Sequence, residues 1–276
     1  MSFKNYVLII ITLIGFNCHS QKKDDQPISY KDDLTFSWNK TKDSLIFRAQ
    51  SKSLAPIEII LYSQANNQEL EAYLLNAKDS ITLLKLPIAL SDSITKQHVS
   101  DSIRFAYYLG HKKLCSPNLD YNYRFPFKAG KRYEVSQGFN GKFSHHSERS
   151  KYAIDFQLDV GEPVFAARGG LVIKVIDWFT KQGGKALINA ANKILILHDD
   201  GTIAAYVHLQ YKSSLVKEGE RVQQGQKIGF SGVTGFTRGP HLHFVVRKER
   251  DMAIPIYFKG FENKVLKKGK RYKLVD

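Results

Sequence analysis

Cysteine, methionine and tryptophan are scarce in this sequence of 276 residues, which contains two of each. One cysteine, Cys18, belongs to the N-terminal leader considered below, so Cys115 alone remains for the folded part of the chain. This excludes an intramolecular disulfide framework and any metal site built from several cysteines. A metal bound by this chain must therefore rely on histidine, aspartate or glutamate.

Acidic residues are also in the minority, since 26 Asp and Glu face 41 Lys and Arg and the formal charge is +15. Such an excess favours polyanionic partners, and it equally fits a soluble basic surface without one partner. The chain lacks a cysteine-rich finger, a basic helix with heptads and an aromatic motif of the RNA-recognition type, so we expect no nucleic-acid partner. Its 43% hydrophobic content is that of a globular protein.

The N-terminal apolar run, residues 7–16, is shorter than the roughly 20 residues of a transmembrane helix and is typical of a signal peptide. Cys18 follows where a bacterial lipoprotein is cleaved and lipidated, so residues 1–18 are predicted to be a lipoprotein-type signal peptide. Ordinary cleavage two or three residues later is the alternative. Residues 19–30 are predicted to be a linker. We therefore expect a secreted or envelope protein, periplasmic or in the outer membrane, with membrane contact through a lipid on Cys18.

Residues 31–118 contain short segments of alternating apolar and polar residues, such as LTFSW and IEIILYS, separated by polar turns. Alternation with a period of two, bounded by turn residues, is typical of strands. We predict an accessory domain that resembles a small β-sandwich. Its histidines, His98 and His111, stand alone in sequence and are interpreted as surface or packing residues.

Residues 119–250 are predicted to form an antiparallel β-domain, because short apolar segments alternate with glycine-containing turns. The fold class is therefore mostly β. The predicted strands are 153–158, 163–167, 170–177, 193–198, 202–209, 227–232 and 241–247.

Two further segments lack this strand pattern. Residues 178–192 are longer than a hairpin connection needs, and such loops often border a binding groove. Residues 251–276 are interpreted as a basic C-terminal tail, with most of the positive charge in 259–274. A solvated tail is one interpretation, and contact with an anionic envelope polymer or lipid is the other.

His241 and His243 lie two residues apart in the apolar segment GPHLHFVV. In a strand, side chains at i and i+2 leave the same face about 6.5 to 7 Å apart. Each buried imidazole needs partners for two nitrogens, which apolar neighbours cannot supply. The pair therefore indicates a functional site rather than packing.

Asp155 stands between two apolar residues in YAIDFQL, where a carboxylate is costly unless it is paired or binds a metal. His145 and His146 precede it in a loop, and His208 lies in AAYVHLQ, where alone it would be a core or surface residue. His198 ends the run KILILH before a turn and is interpreted as structural. Catalytic zinc commonly takes three protein ligands and leaves a fourth position open, and these residue types include such a set.

Five motifs, in this order, resemble the lysostaphin and LytM type of peptidoglycan endopeptidase, peptidase family M23. They are GKFSHHSERSKYAIDF, GEPVFAARGGLV, AAYVHLQ, VKEGERVQQGQKIGFSG and TGFTRGPHLHF, and the resemblance covers about residues 125–250. The first motif departs from the compact H-x-x-x-D frequent in the family, because Asp155 follows His145 by ten positions. It is similar to a subset with the pattern SHxxxxxxYAIDF. The spacing leaves His146 as a rival to His145.

The resemblance implies that His145, Asp155 and His243 bind one Zn²⁺ per chain, and that His208 and His241 are catalytic histidines that do not bind the metal. It implies a hydrolase, a zinc metallo-endopeptidase that cuts peptide cross-links or stem peptides of bacterial peptidoglycan. One alternative is a catalytically silent LytM-type scaffold that activates a cell-wall amidase. The other is a secreted general metalloprotease.

Overall fold

The computed structural model describes residues 33–87 and 92–274, and β-strands dominate both ranges. The predictions made for the signal peptide and the linker, residues 1–30, lie outside the described residues. Within these ranges, no helix combines the length and the apolar content that a bilayer crossing needs.

The first part of the chain consists of strands and one helix: β1 (Leu34–Lys40), β2 (Ser44–Ser51), β3 (Ile57–Ser63), β4 (Glu69–Leu75), β5 (Ser80–Pro87), α1 (Asp92–Ser102) and β6 (Ile103–Leu109). The strands form two antiparallel sheets with the orders β1-β2-β5 and β4-β3-β6. Side chains of both sheets, such as Phe47 and Ile59, share one apolar cluster. The sequence does not predict α1, because the segment DSITKQHVSDS has few apolar residues and so a weak helical pattern.

The second part continues with short strands: β7 (Asn122–Tyr123), β8 (Arg132–Gln137), β9 (Ile154–Phe156), β10 (Pro163–Phe165), β11 (Gly170–Ile176), β12 (Gln182–Gly183), β13 (Lys193–Leu197), β14 (Ile203–Val207), β15 (Arg221–Val222), β16 (Lys227–Phe230), β17 (Gly235–Phe236), β18 (Leu242–Arg247), β19 (Tyr257–Phe258) and β20 (Arg271–Lys273). Short 3₁₀ turns lie at Lys112–Leu114, Lys185–Leu187 and Glu249–Asp251. Each of the seven predicted strands is present with somewhat shorter bounds. The mostly β, antiparallel fold class is confirmed.

Eight of these strands form one sheet with the order β15-β11-β13-β14-β18-β9-β8-β20. Its alternate side chains enter two different cores. Ile194 and Ile196 face a core that also contains Phe125, whereas Leu195 faces a core shared with Ile57 of β3. The strands of the first part therefore pack against the face of the large sheet that carries Leu195.

A salt bridge reinforces this contact. Arg250 donates to both carboxylate oxygens of Glu58 at 3.0 to 3.3 Å and to Glu69 at 3.0 Å. The Glu58 side chain is fully buried, so its charge depends on this guanidinium.

The basic C-terminal segment is packed, which corrects the solvated-tail interpretation. Strand β20 pairs with β8 at the edge of the large sheet. Leu266 and Leu274 are only 4% and 6% exposed. The scattered apolar positions of this segment therefore anchor it, while many of its lysines face solvent.

Candidate metal centre

Three neighbouring strands bring the polar side chains of the site together. Asp155 of β9 lies directly opposite His243 of β18 and is also paired with Gln137 of β8. His243 is in turn opposite Val207 of β14. Residues directly opposite each other in antiparallel strands have side chains on the same face, so Asp155 and His243 enter one site.

His145 joins these two residues from the loop between β8 and β9. Its Nδ1 lies 2.9 Å from the carbonyl oxygen of Gly138, and since a carbonyl only accepts, Nδ1 carries the proton. The other nitrogen, Nε2, then presents its lone pair to the site. His145 is fully buried, so this tautomer is fixed by the protein rather than by water.

The donor atoms converge closely. His243 Nδ1 lies 2.9 Å from Asp155 Oδ1, His145 Nε2 lies 3.2 Å from the same oxygen, and the two nitrogens are 3.3 Å apart. Among the described residues, this is the group of three His, Cys, Asp or Glu side chains whose ligand atoms come close enough to hold a metal ion.

The arrangement fits a small cation such as zinc. A tetrahedral ion with bonds of about 2.0 to 2.1 Å separates its ligand atoms by roughly 3.3 Å, close to the observed separations. Two imidazoles and one carboxylate are donors that zinc accepts, whereas calcium prefers oxygen ligands alone. Buried lone pairs that face one another also repel unless a cation lies between them.

The site electrostatics favour the deprotonated form of two of the three ligands, Asp155 and His243, whereas a metal needs all three deprotonated. Burial would raise the pKa of Asp155, but hydrogen bonds to His145 and His243 and the charge of His243 hold it well below its usual range. Burial lowers the pKa of His243 to about 4, although Asp155 opposes the shift. For His145 the influence of Asp155 overcomes that of burial, and its pKa is raised.

His208 and His241 face the same centre without joining the donor triangle. Their ring centroids are 4.6 Å apart, and His208 lies 6.0 Å from the His243 ring. His241 Nε2 is 3.8 Å from Asp155 Oδ1. In both rings Nδ1 contacts a backbone carbonyl, that of Thr234 at 2.7 Å for His208 and that of Gly239 at 2.9 Å for His241.

These contacts fix the protonation pattern of both rings. Nδ1 of each ring donates to its carbonyl, so Nε2 of a neutral ring is a hydrogen-bond acceptor. Burial, followed by the charges of His241 and His243, lowers the pKa of His208 to about 3. His208 is therefore a neutral imidazole at physiological pH and can accept a hydrogen bond or a proton.

The backbone of His208 is in the left-handed region, with a φ of 67°. Residues other than glycine adopt this conformation uncommonly, although Asn, Asp and His do so more often than the rest, and it persists where the surroundings fix it. The hydrogen bond to Thr234 and the end of β14 one residue earlier hold the ring in place.

Gln137 supports the centre and was missed in the sequence. Its amide donates to Asp155 Oδ2 at 2.9 Å and to the Ser144 hydroxyl at 2.8 Å. Its carbonyl accepts from the backbone N–H groups of Phe143 and Ser144. One side chain thus orients a donor carboxylate and also the loop that carries His145. The available signal was a glutamine at the inward end of RYEVSQ, whose Tyr133 and Val135 are buried.

The remaining histidines lie outside the metal centre. His146 is exposed and stands outside the donor group, whereas its neighbour His145 is buried within it. His198 is buried, and its Nδ1 contacts the Gly169 carbonyl at 2.8 Å. His111 is buried and accepts from Lys113 N, while His98 is exposed. These positions agree with structural or surface roles.

A cleft opens over the donor atoms in two adjoining halves that share His208, His243 and the aromatic pair Phe143 and Phe236. The two aromatic rings lie 5.5 Å apart. The first half contains Asp155 and His241, and the second half continues over β13 and β14. The loop 178–192 borders the second half through Lys185, Ile188, Asn189 and Ala191, as its length predicted.

Comparison with known proteins gives the same picture. The model of peptidase family M23 matches residues 149–255. The chain is 38% identical over 113 residues to the peptidoglycan DD-endopeptidase ShyC of Vibrio cholerae, which covers 40% of this chain and 24% of that protein. It is 39% identical over 94 residues to the glycyl-glycine endopeptidase ALE-1 of Staphylococcus capitis, covering 34% and 23%. The chain thus spans about a quarter of the length of these two relatives.

Among solved structures, the catalytic domain of the antimicrobial peptidase lysostaphin from Staphylococcus simulans is 30% identical. The match covers 47% of this chain and 88% of that domain, with a TM-score of 0.32.

The fold and the donor set define a class, that of β-rich proteins with a metal-compatible histidine–aspartate–histidine centre in an open cleft. Within that class the match is specific: residues 149–255 match the model of peptidase family M23, a family of metallopeptidases, and the relatives ShyC and ALE-1 are both named as endopeptidases. The resemblance seen in the five motifs is confirmed.

Proposed function

We propose that this protein is a zinc-dependent endopeptidase that hydrolyses cross-links or stem peptides of bacterial peptidoglycan. The observation that carries the proposal is the convergence of His145, Asp155 and His243 beside two further imidazoles in an open cleft. The names of the relatives support the substrate class, since ShyC is a peptidoglycan endopeptidase and ALE-1 cuts glycyl-glycine bonds.

In this proposal His145 Nε2, Asp155 Oδ1 and His243 Nδ1 hold one zinc ion. A zinc ion held there supplies Lewis acidity, which polarises a peptide carbonyl and acidifies a water molecule near neutral pH. Gln137 and the Gly138 carbonyl keep the donor atoms oriented, as outer-shell partners of metal ligands usually do.

His208 and His241 then do the work of proton transfer. Their Nε2 lone pairs face the centre, so each neutral ring can orient the attacking water by accepting its hydrogen bond. Once one ring has taken a proton, it can donate to the departing amine or to the developing oxyanion. Glutamate does not line this cleft among the described residues, so the base must be an imidazole.

Two measurements on the full chain test this function. Elemental analysis of the purified protein should give about one zinc per chain, and Asp155→Ala should lose it. Incubation with purified sacculi should release peptides that mass spectrometry identifies as cross-link or stem fragments. Zinc far below one per chain, without peptide release, would favour a silent scaffold that activates an amidase. Cleavage of casein but not of sacculi would favour a general metalloprotease.

We also propose the placement and organisation that the sequence suggested. The protein acts in the cell envelope or outside the cell, where peptidoglycan is accessible, with residues 31–118 as an accessory domain and 119–250 as the peptidase domain. Lipidation of Cys18 would tether it to a membrane, and metabolic labelling with a fatty-acid analogue, with Cys18→Ser as control, tests this. Anionic envelope polymers are candidate ligands for the basic surface, since the chain carries a formal charge of +15.

A further inference from the structure

A buried lysine lies in line with the metal centre. Lys193 of β13 is opposite Val207 of β14, which is opposite His243 of β18, which is opposite Asp155 of β9. All four residues belong to one row across the sheet. Because neighbouring strands are about 4.8 Å apart, Lys193 lies about 10 Å along this row from His243. An extended peptide spans about 3.3 to 3.6 Å per residue, so this distance corresponds to about three residues of backbone, and to fewer where a long side chain of the peptide extends toward Lys193.

This lysine has no counter-charge of its own. Lys193 is 4% exposed, and within the described residues its ammonium takes part in no hydrogen bond or ion pair. Burial, and then the charges of Arg247 and Arg149, lower its pKa to about 8, with Asp251 opposing. A buried cation without a partner is costly to a folded protein, and such groups concentrate at functional sites.

The residues around Lys193 indicate which kind of ligand this part of the cleft suits. It lines the second half of the cleft together with Leu195, Ala205 and Val207, which form an apolar floor. Arg149 and Arg247 line the same half. Arg149 is bound to Asp251 at 2.9 Å, and Arg247 donates to the Arg149 carbonyl, so both guanidinium groups are held in place by the protein. The second half of the cleft is therefore suited to an aliphatic side chain that ends in an anionic group.

We infer that Lys193 binds a free carboxylate of the peptide substrate, on a residue next to or one removed from the scissile bond. The inference rests on the proposed peptidase function and narrows its substrate class. The protein selects wall peptides that carry a free carboxylate at this position over peptides in which the same group is a carboxamide. Lys193 is in this view a specificity-determining residue outside the metal centre.

The test uses the zinc-loaded full chain and two synthetic cross-linked wall peptides that differ in one group, a carboxylate or a carboxamide. For the wild type, kcat/KM should fall about 10- to 100-fold on amidation, mainly through KM, as expected for loss of a charge-assisted hydrogen bond. Lys193→Met should lose the same factor with the carboxylate peptide and little with the carboxamide. Lys193→Gln is the second variant, and Lys217→Met, which replaces an exposed lysine, is the matched control.

The outcomes separate the two proposals. Equal cleavage of both peptides by the wild type, or an unchanged preference in both Lys193 variants, would overturn the carboxylate site and leave the peptidase function standing. Failure of the zinc-loaded wild type to cleave either peptide or sacculi would overturn both. The substrate comparison needs no variant, so poor folding of Lys193→Met cannot hide the result.

Discussion

Replacing Gln137 by methionine tests how strongly the metal centre depends on its supporting amide. The Gln137 side chain makes four hydrogen bonds, two as donor to Asp155 and Ser144 and two as acceptor from the backbone of Phe143 and Ser144. Methionine has a similar length and no amide, so it removes these contacts without opening a large cavity.

Two effects of known size follow. Loss of an outer-shell partner typically weakens metal binding 10- to 100-fold, which is about 1.4 to 2.8 kcal/mol. Unpaired groups left at Asp155 and at the loop should also lower the free energy of unfolding by roughly 2 kcal/mol. The first effect concerns the metal-bound protein, whereas the second persists in chelator.

Both effects are measurable on one protein preparation. A competitive titration against a chromophoric chelator gives zinc affinity, and denaturant unfolding in chelator gives stability. Gln226→Met is the matched control, because Gln226 also donates to a carboxylate, that of Glu220 at 3.0 Å, and accepts from a backbone N–H, that of Gln223. It does not line the cleft, so zinc affinity should not change. Wild-type zinc affinity in Gln137→Met would refute the supporting role.

Three further predictions concern catalytic turnover, stability at low pH, and the contribution of the Arg250–Glu58 salt bridge to the free energy of unfolding. His208→Ala should keep one zinc per chain and lose about 10²- to 10⁴-fold in turnover, by elemental analysis and peptide release. Thr202, the Asn118 N–H and Arg168 overcome burial and hold the pKa of Asp200 at about 2. Wild type should therefore lose roughly 2 kcal/mol of stability relative to Asp200→Asn as pH falls from 4 to 2. Arg250→Met should lower the free energy of unfolding by about 3 kcal/mol, since Glu58 stays buried.

Each of these predictions has a contrary result. Loss of zinc from His208→Ala would make that histidine a ligand. The sign for Asp200 follows from its depressed folded pKa, because stability is present above the ordinary pKa and disappears as the carboxylate is protonated. Parallel acid curves for wild type and Asp200→Asn would contradict it. For Arg250 the control is Arg271→Met, whose exposed bridge to Glu134 should contribute under about 1 kcal/mol.

The strands and the composition of the centre were accessible from the sequence because both depend on local pattern. Alternation and glycine turns located all seven predicted strands of the second part. The polar residues Asp155, His241 and His243 stood out against apolar neighbours, and the family motifs added His145 and His208. The preference for His145 over His146 came from the motif, and the structure adds a physical reason, since one ring is buried and the other is exposed.

The features that were missed depend on contacts distant in sequence. Gln137 gains its importance from pairing with Asp155, which lies beyond a long loop. In the sequence, Lys193 is the charged first residue of the strand KILIL and gives no functional signal. Its position near the metal centre follows only from the pairing of β13, β14, β18 and β9. The C-terminal segment packs because β20 pairs with the edge strand β8. Its basic composition gave no sign of this pairing in the sequence.

The left-handed backbone at His208 bears on how this protein would respond to engineering. Glycine adopts that conformation without a side-chain penalty, but replacing His208 by glycine also removes a buried ring and its hydrogen bond to the Thr234 carbonyl. The relief of backbone strain and the loss of packing oppose each other, so a screen for heat tolerance alone does not report on hydrolysis at this position. Engineering of this protein for higher thermal stability should therefore keep His208 unchanged and introduce substitutions at other positions.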